Sequence, residues 1–557
     1  MNLLVVSTPF SPSSSPTPLG STTQSAPSLL VPHVNYTAIA PEVTMIVGAL
    51  VLLCAAALVG KPLARRFSTL FTGLVGIVSL YCSLRIWFDV TGVNHHPFAA
   101  IDGAIAVDGF SAFILMLVSI AVLFVAISSE KYLRSNEIRS PEFLVLMMLS
   151  SSGAMLMGSA NDLIVLFLGL EIMSIALYVL AGSNLRRNES GEAALKYFLL
   201  GGFSSAIFLY GIALVYGSTG STNLASIAQF LSINLILHQG VLLAGLGLLI
   251  VGFAFKVGLV PFHTWAPDVY QGSPTPATSF MAAVAKAGGF AGLLRVVYST
   301  LFTLKLDWEP IIWLLAVITM LVGAFMAISQ RDIKRMLAYS SISHAGFILV
   351  GLQAASSAGI AGSLYYLFAY LFMVIGSFTI ISVVGGTGDL EDYRGLIYKR
   401  PFLAISLGIL LLAQSGVPFT TGFWAKFSVV AAAVDAHSYA IAIIAMIAAT
   451  IGAFFYLRVV AFMISGREQV SLGISQSENS TDALAKAQLG SSTSPASPYE
   501  LLSLPGKAST ATMSVEREER VGVGVGTVVS LCVAFTLVFG VWVSPILDFA
   551  KQAKLVP

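Results

Sequence analysis

The sequence predicts an all-α integral membrane protein of about fourteen transmembrane helices. Hydrophobic residues make up 56% of its 557 residues and charged residues only 10%. A soluble domain needs roughly a quarter charged residues to cover its surface. Most of this surface must therefore face an apolar environment, and a lipid bilayer is the simplest candidate. The net charge of +2 is too small to indicate nucleic acid as a partner.

Apolar runs long enough to cross a bilayer recur along the chain. A spanning helix needs about 20 mainly apolar residues. The runs that meet this requirement lie at 42–60, 67–88, 108–128, 142–159, 162–182, 192–216, 241–270, 275–300, 310–329, 337–354, 358–384, 402–434, 438–464 and 521–546. Two of them, 241–270 and 402–434, are unusually long and are interrupted by prolines.

Basic residues are concentrated in alternate loops, which predicts the orientation of the chain. Lysine and arginine follow the first, third, fifth, ninth and eleventh predicted helices, whereas the loops 89–108 and 217–240 contain none. Loops rich in lysine and arginine stay on the cytoplasmic side. We therefore expect both termini on the outer face, most simply of a bacterial inner membrane.

The remaining segments differ in composition from the membrane part. Residues 1–40 are rich in Ser and Pro and lack the basic start of a cleaved signal peptide, so they predict a disordered extension. Residues 41–465 form the predicted membrane domain with helices 1–13. The segment 466–520 has too few apolar residues to form a core and predicts a flexible cytoplasmic insertion. Residues 521–557 hold the last helix and the C-terminus.

The two long apolar runs share a local pattern. Val-Pro-Phe ends at Phe262 in the first and at Phe419 in the second, and a lysine lies nearby in each, Lys256 and Lys426. A proline such as Pro261 or Pro418 removes a backbone donor and breaks the helix. We therefore predict helix breaks at Pro261 and Pro418. A single transmembrane proline can simply kink a helix, but paired breaks favour a transport site built from repeats.

Four ionisable residues lie where charge is costly. Glu171 and Lys286 occupy the middle of apolar runs, and Lys256 and Lys426 flank the breaks. A charge at the helix centre costs about 2.5–3.5 kcal/mol. A buried lysine near a carboxylate can take up and release a proton, so these residues predict a proton relay. A static ion pair of Glu171 and a snorkelling Lys426 are the alternatives.

Three further residues are weaker candidates for the relay. Lys196 lies four residues after Glu192, so an ordinary ion pair at a helix surface competes with a relay role. His263 and His344 can titrate near neutrality, but a lone histidine can equally be a hydrogen-bonded structural residue. Asp268 is expected to mark a helix end.

Cofactor sites are not indicated by the sequence. The three cysteines lie in apolar runs without paired or metal-ligand spacing, and no dinucleotide fingerprint follows a strand. We therefore expect no metal, flavin or iron–sulfur cluster in this chain.

Several stretches of the chain resemble a known family. The segment Val260–Thr278, with Asp-Val-Tyr-Gln-Gly-Ser-Pro-Thr-Pro at its centre, is similar to the signature of antiporter-like proton-translocating subunits, and specifically to the N subunit (subunit 2 type) of respiratory complex I. The surroundings of Glu171, Lys196, Lys286 and Lys426 also resemble that subunit. The resemblance covers about residues 40–465 and 521–550.

This resemblance implies a fold and a set of roles. It implies two inverted five-helix repeats, about 142–300 and 310–464, each with a broken helix. Glu171 would tune Lys256, Lys286 would connect the two halves, and Lys426 would be the last lysine on the outer half-channel. It also places Lys196 on the same axis.

The parent enzyme of that family transfers electrons from NADH through FMN and iron–sulfur clusters to quinone. The resemblance therefore implies that this chain is a pumping module of NADH:quinone oxidoreductase, and that partner subunits hold the cofactors. Other membrane subunits, of the M type and the small K and J types, are the implied neighbours.

Three alternatives remain at this point. The chain could belong to a multisubunit cation/proton antiporter or a related membrane-bound hydrogenase. It could be a scaffold whose lysines are held in static pairs. A secondary transporter for a small solute fits least, because the sequence indicates no further polar site in the membrane.

Overall fold

The computed structural model describes residues 35–59, 65–92, 96–234, 239–466 and 521–555. The predicted insertion and nearly all of the predicted N-terminal extension lie outside these ranges. The described part is built almost entirely from helices. They are α1 (Ala40–Leu58), α2 (Arg65–Thr91), α3 (Gly109–Ser135), α4 (Ser140–Ser159), α5 (Leu163–Ala181), α6 (Asn188–Thr219), α7 (Leu224–Ile233), α8 (Gly240–Val257), α9 (Trp265–Gly272), α10 (Thr275–Phe280), α11 (Lys286–Leu294), α12 (Lys305–Ile328), α13 (Ile333–Gln353), α14 (Ser357–Val384), α15 (Leu396–Lys399), α16 (Pro401–Ser415), α17 (Thr421–Asp435), α18 (Tyr439–Ile464), α19 (Val523–Val541) and α20 (Ser544–Gln552).

In the described part of the chain, thirteen helical segments are long and apolar enough to cross a membrane. One of them, Thr275–Thr300, combines α10 and α11 with two π-helical turns. The predicted run 402–434 is the exception, because it is divided into α16 and α17, which have 15 residues each. Taken in series, these two helices form the twelfth predicted span, and with it the number of spans reaches the fourteen predicted. The chain is therefore a multi-pass membrane protein, as its composition predicts.

Both predicted helix breaks are present. Gly258 caps the C-terminus of α8 and Gly416 that of α16, and both are in the left-handed region, with φ of 76° and 92° respectively. Glycine adopts this conformation without a Cβ clash and commonly ends helices in this way. Pro261 and Pro418 follow within three residues and prevent the helix from resuming at once.

The first repeat is closed by a pair of backbone hydrogen bonds at the start of α5. Leu163 N–H donates to the carbonyl of Thr222, and Leu224 N–H donates to the carbonyl of Asn161, both at 2.9 Å. Asp162 caps α5 by accepting a hydrogen bond from its backbone. The start of α5 is thus tied to the segment that follows α6.

The second repeat has the same closure at the start of α13, which Asp332 caps. Its two bonds, also 2.9 Å long, join Ile333 to Gly388 and Leu390 to Arg331. Helices α5 and α13 are the fifth and tenth spanning units, so they begin on opposite faces of the membrane. Equivalent closures on opposite faces are the mark of two inverted repeats, as expected.

Loops on one face of the helix bundle converge on a small β-hairpin, which the sequence reasoning did not predict. Its strands β1 (Phe98–Ala100) and β2 (Ile105–Val107) are antiparallel. Between them, the carbonyl of Gly103 accepts hydrogen bonds from the side chains of Asn161 and Asn223 at 2.9 and 3.0 Å. Three loops predicted for one face therefore meet, which supports the helix count. The most deeply buried spans are Thr275–Thr300 and α13, and these carry the site.

Candidate functional site

Lys256 lies in the last turn of α8, next to the first helix break. Its ammonium donates a hydrogen bond of 2.7 Å to the hydroxyl of Ser174 on α5. It also lies 5.7 Å from the centroid of the Tyr197 ring, a distance at which a cation is attracted to an aromatic face. The partners of this buried cation are therefore neutral.

Glu171 lies one helical turn before Ser174 and acts electrostatically on Lys256. Among the described residues, Glu171 and Lys256 form no ion pair within 4 Å, and one carboxylate oxygen of Glu171 is buried without a hydrogen-bond partner. The carboxylate is thus near the lysine without being paired to it.

Lys286 begins α11 directly after a π-helical turn, Met281–Ala285. Such turns occur frequently at functional sites. The Lys286 ammonium donates to the carbonyl of Ser341 and, at 3.5 Å, to that of Val257. The ring centroid of Tyr370 lies 5.8 Å away. Val257 directly follows Lys256, so the helix break next to one lysine supplies an oxygen to the other.

Lys256 and Lys286 line the same internal cavity, with Trp265 and Tyr270 completing part of its wall. Its volume of about 10 Å³ is close to the minimum that holds one water molecule. The cavity that both lysines line thus has room for a single water molecule.

His344 lies on α13, three residues after Ser341. Its Nδ1 is 2.6 Å from the hydroxyl of Tyr366 and its Nε2 is 3.0 Å from that of Tyr456. Its ring centroid is 5.1 Å from that of Tyr370, the same ring that faces Lys286. His344 is therefore linked to Lys286 through one tyrosine and has both nitrogens hydrogen-bonded.

Lys426 lies on α17, beyond the second helix break. Its ammonium donates at 2.8 Å to the carbonyl of Ser415, the last residue of α16. It also lies 5.1 Å from the ring centroid of Phe347, one turn after His344 on α13. Helix ends leave carbonyl groups unpaired, and each break uses one to hold a lysine.

Four basic side chains thus form a row through the centre of the protein. The exposed fractions of Lys256, Lys286, His344 and Lys426 are 3%, 4%, 3% and 9%. The structure brings these predicted residues together, with Glu171 at one end.

Two other predicted residues lie outside this row. The Lys196 side chain is 44% exposed and forms ion pairs with Glu192 at 2.7 Å and Asp268 at 2.8 Å. His263 lies in the first break, half-buried, with its Nδ1 unpaired among the described residues. The structure gives neither side chain a contact with the buried lysines.

Sequence reasoning missed a buried ion pair between Asp108 and Arg295. Both guanidinium arms of Arg295 contact the carboxylate at 3.0 Å, and both side chains are 1% exposed. Arg295 stands in the apolar run 275–300, so the reasoning that singled out Lys286 applies equally to it. Ser174 and the tyrosines around His344 give no such signal, because hydroxyl side chains are common in membrane helices.

No group of three ligating side chains that could hold a metal ion occurs within the described ranges. What the site does offer is a set of proton-accepting amines and an imidazole, joined by hydroxyl groups, carbonyl groups and space for water. A multi-pass membrane protein of two inverted repeats, with a broken helix and buried lysines in each, belongs to the antiporter-like class.

Comparisons with known proteins support this class. The model of the family described as NADH:quinone oxidoreductase/Mrp antiporter, transmembrane, matches residues 160–452. NADH-quinone oxidoreductase subunit N of Mycobacterium tuberculosis is 36% identical over 574 residues, which cover 94% of this chain and 99% of that one. The chain therefore belongs to the NADH-quinone oxidoreductase subunit N family, which confirms the resemblance seen in the sequence.

Solved structures share the fold. A chain of respiratory complex I from Thermus thermophilus is 29% identical with a TM-score of 0.69, covering 91% of this chain and 98% of that one. A chain of the Mrp complex from Dietzia sp. has a TM-score of 0.73 at 19% identity, covering 93% of this chain and 96% of that one. The second likeness extends to the fold alone.

Proposed function

We propose that this chain is a proton-translocating membrane subunit of NADH:quinone oxidoreductase. In this proposal, protons move along the row of Lys256, Lys286, His344 and Lys426, with Glu171 tuning its first member. The observation that supports it most directly is that all four basic groups are at least nine-tenths buried and contact neutral oxygens and aromatic rings. A buried amine without a paired carboxylate can change its protonation state with its hydration.

The first transfer would run between Lys256 and Lys286. Their shared cavity has room for one water, which can accept a proton from one amine and donate to the other. The charge of Glu171 would stabilise the protonated form of Lys256. A change in that charge therefore shifts the proton towards Lys286.

The second transfer would pass through His344. An imidazole whose two nitrogens both contact tyrosine hydroxyls can receive a proton on one nitrogen and release one from the other. His344 lies between Lys286 and Lys426, and both act on it electrostatically. Lys426 would then be the last member, on the way to the outer face.

The driving reaction would lie outside this chain. We assign NADH oxidation, FMN, the iron–sulfur clusters and quinone reduction to partner subunits, as the resemblance implies. In this proposal the chain lies in a bacterial inner membrane, with the basic loops in the cytoplasm and both termini outside. The convergence of Lys131, Arg187 and Lys334 around one surface cavity supports placing these basic loops on one face.

Two lateral surfaces suit neighbouring membrane subunits. Helix α5 exposes apolar residues such as Leu168, Ile172 and Ile175 around the half-buried Glu171. A carboxylate at this depth is costly against lipid, so a protein neighbour is favoured there. Helices α17 and α18 expose a second apolar surface near Lys426, including Phe427 and Met446. The proposed neighbours are the M-type subunit and the small K- and J-type subunits.

The decisive experiment is Lys256→Ala in membrane vesicles, with NADH-driven proton pumping and quinone reductase activity measured together. We expect the complex to assemble and both coupled activities to fall by about tenfold or more, as on loss of a proton-transfer group. Lys551→Ala, which removes an exposed lysine at the end of α20, is the matched control and should pump normally. Wild-type pumping by Lys256→Ala would overturn the relay and favour a scaffold.

A further inference from the structure

A charged vestibule opens on the face of the basic loops. It has a volume of about 700 Å³ and is lined by side chains from several loops and helix ends, including Lys131, Arg187, Glu192 and Lys334. Three residues of α9 also contribute to its wall, Asp268, Gln271 and Gly272. One face of this eight-residue helix therefore borders a polar, water-accessible space.

The opposite face of α9 borders the relay. Trp265, Ala266 and Tyr270 line the small cavity shared by Lys256 and Lys286. At about 3.6 residues per turn, Ala266 and Tyr270 lie across the helix from Asp268, whereas Trp265 lies one turn before it. Helix α9 is thus the partition between the vestibule and the two lysines.

Asp268 connects α9 to two other helices through its two carboxylate oxygens. One carboxylate oxygen accepts from the Lys196 ammonium at 2.8 Å, and the other accepts from the Arg335 guanidinium at 2.6 Å. Lys196 lies on α6 and Arg335 on α13, so a single carboxylate connects the first repeat to the second. Arg335 also donates to Gln271 at 3.1 Å. We call Lys196, Asp268 and Arg335 the α9 clamp.

The inner face of α9 packs against residues that surround Lys256. The Trp265 ring stacks on the Tyr197 ring with centroids 4.5 Å apart and planes 9° apart, and its indole N–H donates to the carbonyl of Phe255 at 2.9 Å. Tyr197 follows Lys196 in sequence and faces the Lys256 ammonium. A displacement of α9 would therefore open the wall of the lysine cavity.

The connections at both ends of α9 allow such a displacement. The helix break from Gly258 precedes it, and Ser273, in an extended conformation, separates it from α10. Lys334 donates a hydrogen bond to the Ser273 carbonyl at 2.7 Å, a side-chain contact about which that end of α9 can pivot. Short elements joined by non-helical segments at both ends can move as units when their side contacts change.

We propose that α9 is a gate between the vestibule and the Lys256–Lys286 cavity, and that Asp268 is the positioning residue that keeps it closed. The proposal rests on the proposed proton-translocating function and adds the point at which protons reach the row. Loss of the clamp lets vestibule water pass beside Trp265 to Lys256, whereas an intact clamp excludes it.

The test measures access to the cavity in the assembled complex. Ala266→Cys places a thiol in the cavity wall, in a background where Cys54, Cys82 and Cys532 are alanine. A small, positively charged methanethiosulfonate reagent is added to vesicles whose basic-loop face is outward. With Asp268→Asn, we expect the labelling rate to rise about threefold or more, as on loss of two partly exposed ion pairs.

Two matched variants test the assignment to Asp268. Glu192→Gln removes the other carboxylate beside Lys196 but leaves Asp268 with both partners, so labelling should stay slow. Asp268→Glu retains a carboxylate and should restore slow labelling. If Ala266→Cys fails to assemble, Ala285→Cys reports on the same cavity.

Equal labelling rates with and without Asp268→Asn, in fully assembled complexes, would overturn the gate. This readout does not depend on pumping, so it separates the gate from the proposed function. Faster labelling together with wild-type pumping by Lys256→Ala would support the gate and overturn the relay.

Discussion

Lys286 donates a hydrogen bond to the carbonyl of Val257, the residue that follows Lys256. The first helix break therefore positions both lysines. Lys256 lies in the last helical turn before the break, and the ammonium of Lys286 is bound by a backbone oxygen at the break. This arrangement pairs two kinds of polar group that would otherwise lack a hydrogen-bond partner in the membrane interior. The broken helix exposes unpaired carbonyl groups, and the buried ammonium needs acceptors. The second break repeats the solution with Ser415 and Lys426.

The first prediction concerns the cost of keeping Lys286 buried. Lys286→Met replaces a buried cation by an apolar side chain of similar length, and such replacements are often neutral or stabilising. We expect the subunit's melting temperature to be unchanged or higher, while NADH-driven pumping falls by about tenfold or more. Both quantities can be measured on the purified complex and on vesicles from the same preparation.

Lys305→Met, at a partly exposed lysine that pairs with Glu309 at 3.8 Å, is the control and should leave pumping intact. A lower melting temperature for Lys286→Met would show that the lysine is retained for stability rather than for proton transfer.

The second prediction concerns the imidazole of His344. His344→Gln keeps a side chain that can hydrogen-bond to Tyr366 and Tyr456 but cannot titrate near neutrality. We expect assembly to be normal and pumping to fall by about tenfold or more, as for a lost proton carrier. His437→Gln is the matched control, because the His437 side chain is exposed and its Nδ1 lies 3.1 Å from the hydroxyl of Tyr439, away from the buried row. Equal pumping by the two variants would remove His344 from the relay.

Much of the fold could be predicted from local sequence patterns. Apolar runs predict spanning helices because the bilayer sets their length, and Pro261 and Pro418 predict the breaks because proline cannot continue a helix. The hairpin of β1 and β2 and the short helix α7 were not predicted, because their stability depends on contacts with distant loops rather than on a local period.

The charged residues of the site could be predicted from the sequence, but the residues that contact them could not. Buried lysines stand out because charge in an apolar run is costly. Ser174 and Tyr370 do not stand out, because only the packing of distant helices brings them to Lys256 and Lys286. Lys196 shows the opposite limit. Its direction from the helix axis, which the sequence alone does not show, places its ammonium beside Glu192 and Asp268, and its relay role stays a prediction.

The third prediction uses the buried pair of Asp108 and Arg295. Arg295→Met removes the guanidinium that contacts both oxygens of the buried Asp108 carboxylate, a change that costs about 3–5 kcal/mol of stability. Adding Asp108→Asn removes the buried negative charge, and asparagine can still cap α3, as Asp108 does through Ser111. We expect thermal melting of the purified complex to show a large loss for the single variant and a partial recovery for the double variant. A double variant as unstable as the single one would show that charge burial is not the dominant cost.

The last prediction separates the two helix breaks. Gly258→Ala and Gly416→Ala both force alanine into the left-handed region, at a cost of about 1–2 kcal/mol. They differ in what the new methyl group meets. At Gly416 it would lie 3.0 Å from Cδ and 3.5 Å from Nζ of Lys426, whereas at Gly258 the nearest contact is Ala266 at 4.0 Å. We therefore expect similar losses of thermal stability but a larger loss of pumping for Gly416→Ala, because only that variant displaces a lysine of the proposed relay. Pumping that falls equally in the two variants would show that backbone strain, rather than the position of Lys426, limits proton transfer.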